Sequence, residues 1–178
     1  MKILIRTLMP TLLICLLASA TVFAQDNPAK APTTQSEAKK AFAKLKTLTG
    51  SWQGTIMDIS INFTIRATSS GTAILHEGNT SGGGPPNHEI TMFYVDGDRL
   101  LATHYCDAGN RSRWEGKLSP DEKAIEFSFL DVTGSTRGGY LKDMVITWID
   151  TDRHTVGFTF VMPDGKPMRL RGEFQRTK

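Results

Sequence analysis

From residue 50 to the end of the chain, apolar and polar residues alternate in short runs. In ISINFTIRA, Ile59, Ile61, Phe63 and Ile65 fall on one side, while Ser60, Asn62, Thr64 and Arg66 fall on the other. The same period of two recurs at Ile125, Phe127 and Phe129, and again at Val156, Phe158, Phe160 and Met162. Alternation of this kind marks half-buried antiparallel strands. Turn-forming residues separate the runs: Ser69-Ser70-Gly71, Asp96-Gly97, Ser119-Pro120-Asp121, Asp150 to Asp152 and Pro163-Asp164-Gly165. The pattern predicts nine or ten strands, near 52–58, 59–67, 72–79, 88–95, 99–106, 111–118, 124–131, 140–150, 154–162 and 167–176. Only one segment reads as a helix. Residues 36–48 place Ala38, Phe42, Leu45 and Leu48 on one stripe, with Ser36 as the cap. Evenly spaced strands with no helices between them imply an up-and-down meander. A barrel covers the edges of such a sheet most completely. The expected fold is therefore all-β, an antiparallel barrel of about 8–10 strands behind one short helix. The stretch TSGGGPPNH, 80–88, reads as a mobile loop at one barrel mouth.

Gly50-Ser51-Trp52, directly after the helix and opening the first strand, resembles the G-x-W signature of the lipocalin and calycin barrels. The resemblance implies a Trp that plugs the closed end, covered by a basic residue of the last strand: Arg169, Arg171 or Arg176. MFYVDGDRLLATHYCDAGNRSRW followed by IEFSFLDVTG is similar to a group of exported bacterial lipocalin-like domains of uncharacterised function. That likeness spans roughly residues 45–177 and implies a fold and a compartment without an activity. Gly50-Ser51-Trp52-Gln53-Gly54 also resembles the opening of the haem-binding nitrobindin-like barrels, which likewise run to ten strands. Their iron requires a histidine on a late strand. The late histidine here, His154, reads as part of a turn beside Asp152, a departure from that pattern.

The first residues change the picture of the compartment. Lys2 and Arg6 precede an apolar run broken by Pro10, and Val22-Phe23-Ala24 offers a cleavage site. This reads as a secretory signal peptide over 1–24, then a disordered linker over 25–35 and a barrel domain over 36–178. The expected location is periplasmic or extracellular, with no stable membrane insertion after cleavage. Removing the leader takes two basic residues and no acids, leaving 19 basic against 18 acidic from the total of 21 and 18. Near-neutrality gives no electrostatic case for a nucleic-acid partner. Cys15 leaves with the leader, so Cys106 is alone and the mature fold stands without an internal disulfide. No Gly-x-Ser-x-Gly elbow and no His-Glu-x-x-His helix is present, which removes the common hydrolase and metalloprotease schemes.

The chemistry-bearing residues gather in RLLATHYCDAGNRSRW, 99–114. If Asp96-Gly97 forms a two-residue type I′ turn, Val95 pairs with Asp98, Phe93 with Leu100, Thr91 with Ala102 and Glu89 with His104. Cys106 then lies two residues further along on the same face. Another turn length shifts this register. Three readings stand side by side. His104 and Cys106 are packed core residues; or they line a pocket for one small ligand; or they serve chemistry, with His104 as a base or with Cys106 at a metal. Glu77, Glu89, His104, Tyr105, Cys106 and Arg113 are the candidate ligand-binding residues, with Glu77 and Arg113 as opposed charges in the pocket or on the surface. No catalytic residue, metal ligand or cofactor is assigned. The expected function is an exported binder of a small apolar or amphipathic molecule rather than an enzyme. The alternatives are a metal- or haem-dependent protein or enzyme using His104, and a structural or interaction domain at the cell envelope.

Overall fold

A computed structural model describes residues 35–81 and 87–177. The leader, the linker up to residue 34 and the Gly82–Pro86 part of the glycine-proline loop lie outside these residues. A helix, α1 (Glu37–Lys46), is followed by ten strands: β1 (Gly50–Ile56), β2 (Ile59–Thr68), β3 (Ala73–Ser81), β4 (Asn87–Asp96), β5 (Arg99–Tyr105), β6 (Asn110–Leu118), β7 (Ala124–Gly134), β8 (Tyr140–Trp148), β9 (Arg153–Val161) and β10 (Pro167–Arg176). Each strand pairs antiparallel with the next, and β1 pairs with β10, so the sheet closes on itself. Among the described residues the fold is an all-β, up-and-down barrel with one α-helix. Among the described residues, no helix is long and apolar enough to cross a membrane.

Local chemistry explains the helix. Ser36 accepts a hydrogen bond from the Lys39 amide, Glu37 sits in the first turn, and Lys44 and Lys46 sit in the last. All three choices suit the helix dipole and its unpaired ends. The buried stripe Ala38, Ala41, Phe42 and Leu45 turns inward. Trp148 donates to Thr47 Oγ1 at 3.2 Å, and Lys40 pairs with Glu122 in the β6–β7 turn at 2.9 Å. Helix α1 thereby closes one end of the barrel.

The same end carries a densely connected cation, Arg176. Trp52 is 1% exposed and its indole donates to the Leu48 carbonyl at 2.8 Å. Of the three arginines expected near it, Arg176 covers the ring, with its guanidinium 4.3 Å from the centroid. Arg176 also donates to the carbonyls of Thr49 at 2.6 Å and of Thr47 and Thr151 at 3.1 Å, and to Asp152 at 3.1 Å. One side chain thus ties the segment after α1, the β8–β9 turn and the last strand together.

The β4–β5 hairpin departs from the expected register. Its two-residue connection is Gly97-Asp98, so Asp96 pairs with Arg99, Phe93 with Ala102 and Thr91 with His104. Only Gly97 takes a positive φ (59°) in this turn. A type I′ turn needs positive φ at both central residues, so the Asp96-Gly97 reading fails. The correction moves His104 by two positions relative to β4 and keeps it on the same face. His154 is the other correction. The β8–β9 turn ends at Asp152, where Ile149 and Asp150 amides bond to the Arg153 carbonyl. His154 is therefore a β9 residue, in phase with Val156 and Phe158, and is 1% exposed.

Arg176→Ala is expected to lower stability by about 2 kcal/mol, because three carbonyls and an indole face lose their partner together. Arg176→Lys should recover little, since an ammonium cannot reproduce the fork. Urea unfolding of the two variants, followed by Trp fluorescence, checks this. Equal midpoints for wild type and Arg176→Ala would remove the clasp from the account.

Candidate functional site

Alternation along the strands decides which side chains enter the barrel. Between β1–β4 and β8–β10, a cavity of 510 Å3 remains unfilled. Its walls are mainly hydrocarbon, aromatic and thioether, including Ile61, Phe63, Ile65, Met144, Val156, Phe158 and Leu170. Leu45 and Leu48 floor it from the helical end, and Trp114 closes one flank. The opposite end holds the β1–β2 and β9–β10 turns. There Met57 and Ile59, which line the cavity, are 66% and 38% exposed and form an apolar lip, and Met162 near the β9–β10 turn is 37% exposed. Met57 and Asp58 both have positive φ (48° and 64°). The turn thus holds a methionine, where Gly or Asn is usual, beside the cavity entrance.

Besides the Trp114 indole, His76, Glu89, Thr91, His104 and His154 carry polar groups in the lining. Thr91 and His104 face each other across β4 and β5, with Thr91 Oγ1 2.9 Å from His104 Nδ1. That contact fixes the ring. His104 Nε2 points the other way, is buried, and has no hydrogen-bond partner among the described residues. Glu89 lies two residues from Thr91 on the same face, as a diagonal neighbour of His104. Its Oε2 is 3.7 Å from His104 Nε2, and its Oε1 accepts from the Cys106 thiol at 3.5 Å. Cys106 also approaches Asp107 Oδ1 at 3.6 Å. Glu89, His104 and Cys106 offer donor atoms that all lie within 4.8 Å of one another.

The other candidates point elsewhere. Glu77 sits between inward-facing His76 and Gly78, so its side chain leaves the barrel and pairs with His88 at 3.0 Å. Arg113 is the outward neighbour of Trp114 and forms a bidentate pair with Asp131 on the outer wall. Tyr105 is 44% exposed and lies under the Arg111 guanidinium. All three are corrected from pocket residues to outer-surface residues for one reason: each is an odd step from an inward neighbour. Two inward histidines went unassigned in the sequence. His76 stacks on Phe63 at 4.5 Å. His154 is held between Trp52 at 4.3 Å, Phe63 at 5.8 Å and Phe174 at 5.7 Å. Extending the phase of Ile74 to position 76, and of Val156 back to 154, would have found both.

Burial governs the charge of these groups. Desolvation holds His76, His104 and His154 down to about 4, so all three are neutral at pH 7. The nearness of His76 also disfavours the charged form of the other two. Burial pushes the Cys106 thiol up to about 12, assisted by the carboxylates of Glu89 and Asp107.

No protein-family model matches the chain, and no curated protein matches it. Solved structures do. The crystal structure of Rv2717c from M. tuberculosis is similar over 78% of this chain and 98% of its own, with a TM-score of 0.60 at 14% identity. A protein of unknown function from the DUF3598 family of Nostoc punctiforme matches over 75% of this chain and 49% of its own (TM-score 0.49, 17% identity). A de novo designed fluorescence-activating β-barrel matches over 75% of this chain and 96% of its own (TM-score 0.40, 16% identity). At these identities the likeness to Rv2717c concerns the fold.

The nitrobindin-like comparison calls for an iron-ligating histidine on a late strand. β10 contains none, and β9 brings His154 to the closed end, wedged among three aromatic rings. In the open half the late strands present Phe158, Phe160, Met168 and Leu170. The residues present do not form a haem site of that kind.

Three neutral histidines, His104 and His154 buried and His76 half-buried in the cavity wall, make stability depend on pH. The unfolded chain takes up protons near the ordinary histidine value of 6.5, and the folded chain only near 4. Their contribution is therefore complete above about pH 6.5 and is lost as pH falls toward 4, by up to roughly 3 kcal/mol per histidine. Urea midpoints should fall steadily between pH 7 and pH 5. A midpoint constant across that interval would mean that the histidines are hydrated or paired in the folded state.

Proposed function

We propose that the protein is exported and binds one small, largely apolar molecule inside the barrel, at a periplasmic or extracellular location. The observation that carries this reading is the cavity. Its 510 Å3 lies within the usual range of about 300–1,000 Å3 for small-molecule sites. Its walls are apolar, with a few polar groups concentrated at Glu89, Thr91 and His104, an arrangement that orients a ligand by one polar end. The leader-like first 24 residues support export. Binding needs no reacting group in this reading. The amphipathic ligand inserts its hydrocarbon part past Met57 and Ile59, and its polar tip meets His104.

The neutral apolar dye N-phenyl-1-naphthylamine tests this. Saturable fluorescence enhancement at one site per chain is expected. Leu170→Lys places an ammonium in the wall and should weaken the dye at least about tenfold, equivalent to ~1.4 kcal/mol. Arg169→Glu changes the outward neighbour and should leave the dye unaffected. Circular dichroism confirms that both variants fold. The reading fails if folded wild-type protein gives no saturable signal, or if Leu170→Lys binds as wild type does.

A further inference from the structure

We propose that Glu89, His104 and Cys106 form a binding site for a divalent transition ion of zinc type, with its open coordination position facing the apolar cavity. The proposal deepens the ligand-binding reading by supplying an anchor for a donor atom of the cargo. The ion itself depends on three side chains and not on that reading.

The geometry fits tetrahedral coordination. Bond lengths of about 2.0–2.3 Å to nitrogen, oxygen and sulfur place neighbouring ligand atoms ~3.4–3.6 Å apart. Here Cys106 Sγ is 3.5 Å from Glu89 Oε1, His104 Nε2 is 3.7 Å from Glu89 Oε2, and one donor atom from each of the three residues lies within 4.8 Å of the others, so small side-chain shifts bring them to those separations. The donor set of one imidazole, one thiol and one carboxylate suits a borderline ion. His104 adds an independent observation. A buried imidazole nitrogen without a partner loses the interaction it would make in water. His104 Nε2 is such an atom, in a residue only 4% exposed, and it is aimed at Glu89 and Cys106.

Thr91 supplies the support that ligating histidines commonly receive. With Nδ1–H donating to Thr91 Oγ1, the Nε2 lone pair is left for an ion. Thr91 is a positioning residue in this scheme. Coordination by Cys106 breaks the S–H bond, forms the S–metal bond and passes the proton to solvent. His104 and Glu89 line the cavity and Cys106 does not. The open position therefore lies on the cavity side, and three protein ligands with one open position is the arrangement of zinc sites that take a water or an incoming ligand, not of closed structural sites.

Titration of the metal-free, reduced full-length protein with Co2+ tests the proposal directly, with Zn2+ competition to rank affinity. One equivalent should bind and give a near-ultraviolet thiolate-to-cobalt band, displaced by Zn2+. Cys106→Ser should abolish the band, and His104→Gln should weaken Zn2+ by roughly 100-fold or more. Thr91→Val should weaken it by about 10–100-fold while keeping the band. His88→Ala, at an exposed pair outside the site, should bind as wild type. Circular dichroism of each variant separates lost binding from lost folding. If wild type gives no thiolate band below millimolar Co2+, or if Zn2+ affinity survives both Cys106→Ser and His104→Gln, the site does not exist. Dye binding measured with and without Zn2+ keeps the two readings apart, since a metal site without dye binding overturns only the cavity function.

Discussion

A ten-strand closed barrel must enclose more space than its inward side chains readily fill, and the architecture follows from how that space is divided. Eight strands already give an interior just wide enough for side chains to pack. Here the β4–β7 side is filled by Phe93, Leu100, Trp114, Ile125 and Phe127, each 3% exposed or less. The helical end is filled by Leu48, Trp52, His154 and Phe174 under the Arg176 clasp. Close packing there reaches the backbone. A Cβ at Gly54 would run into the Glu173 carbonyl and the Phe174 ring, so the β1–β10 seam can close only with glycine at that position. The remaining volume, on the side of β1–β4 and β8–β10, is the cavity. It is a consequence of strand number and of where the bulky rings were placed.

The barrel wall makes its own adjustments to this division. β7 pairs with β8 only from Ala124 to Phe127, while β6 follows β7 to Gly134. Bulges at Arg113/Trp114 and at Leu141/Asp143 absorb the mismatch. The backbone groups freed there find side-chain donors: Trp114 Nε1 reaches the Lys142 carbonyl at 3.1 Å, and Asn110 Nδ2 reaches the carbonyls of Ser135 and Gly139 at 3.0 and 2.8 Å. These two buried residues replace the missing ladder. Trp114 therefore has two roles, since the ring that seals the β7–β8 gap also forms the flank of the cavity beside His104, 5.7 Å away.

Most of this fold is legible in the sequence because period-two alternation survives wherever one face is buried. Ile59, Ile61, Phe63 and Ile65 mark β2, and Val156, Phe158 and Phe160 mark β9. The cap Ser36 and the apolar stripe place α1 to within two residues. The site is harder to read for a physical reason. Register across a hairpin depends on the φ of one or two turn residues, and Asp96-Gly97 and Gly97-Asp98 are equally good letters for a turn. The difference is two positions, so His104 stays inside while its partner changes from Glu89 to Thr91. Glu77, Tyr105 and Arg113 fail differently. Each stands out for its charge or hydroxyl, although its inward neighbour, His76, His104 or Trp114, carries the phase. His76 and His154 are hidden because a histidine interrupts an apolar run and resembles a strand end. The two bulges cannot be read at all, since they arise from closure and not from local sequence.

The placement of polarity inside the cavity links stability to binding. An apolar void forfeits dispersion contacts along its lining, and three neutral histidines add buried groups that hydrogen-bond only in part. Nε2 of His104 and Nδ1 of His154 are both buried without a hydrogen-bond partner among the described residues. A structure selected for stability alone would fill the first with leucine and phenylalanine and omit the second. One event relieves the first penalty and the His104 part of the second. A molecule that fills the void restores the contacts, and a polar tip or an ion at His104 satisfies the orphaned nitrogen. Whatever binds the folded barrel and not the unfolded chain raises stability as the logarithm of its concentration over its dissociation constant. On the two proposals above, the cargo and the ion would be coupled through one residue. An ion held by His104 and Glu89 changes the polarity presented to the cargo, and by linkage the cargo changes the affinity for the ion by the same factor. On the proposed reading, the features that lower the barrel's stability are those that would let it recognise a ligand.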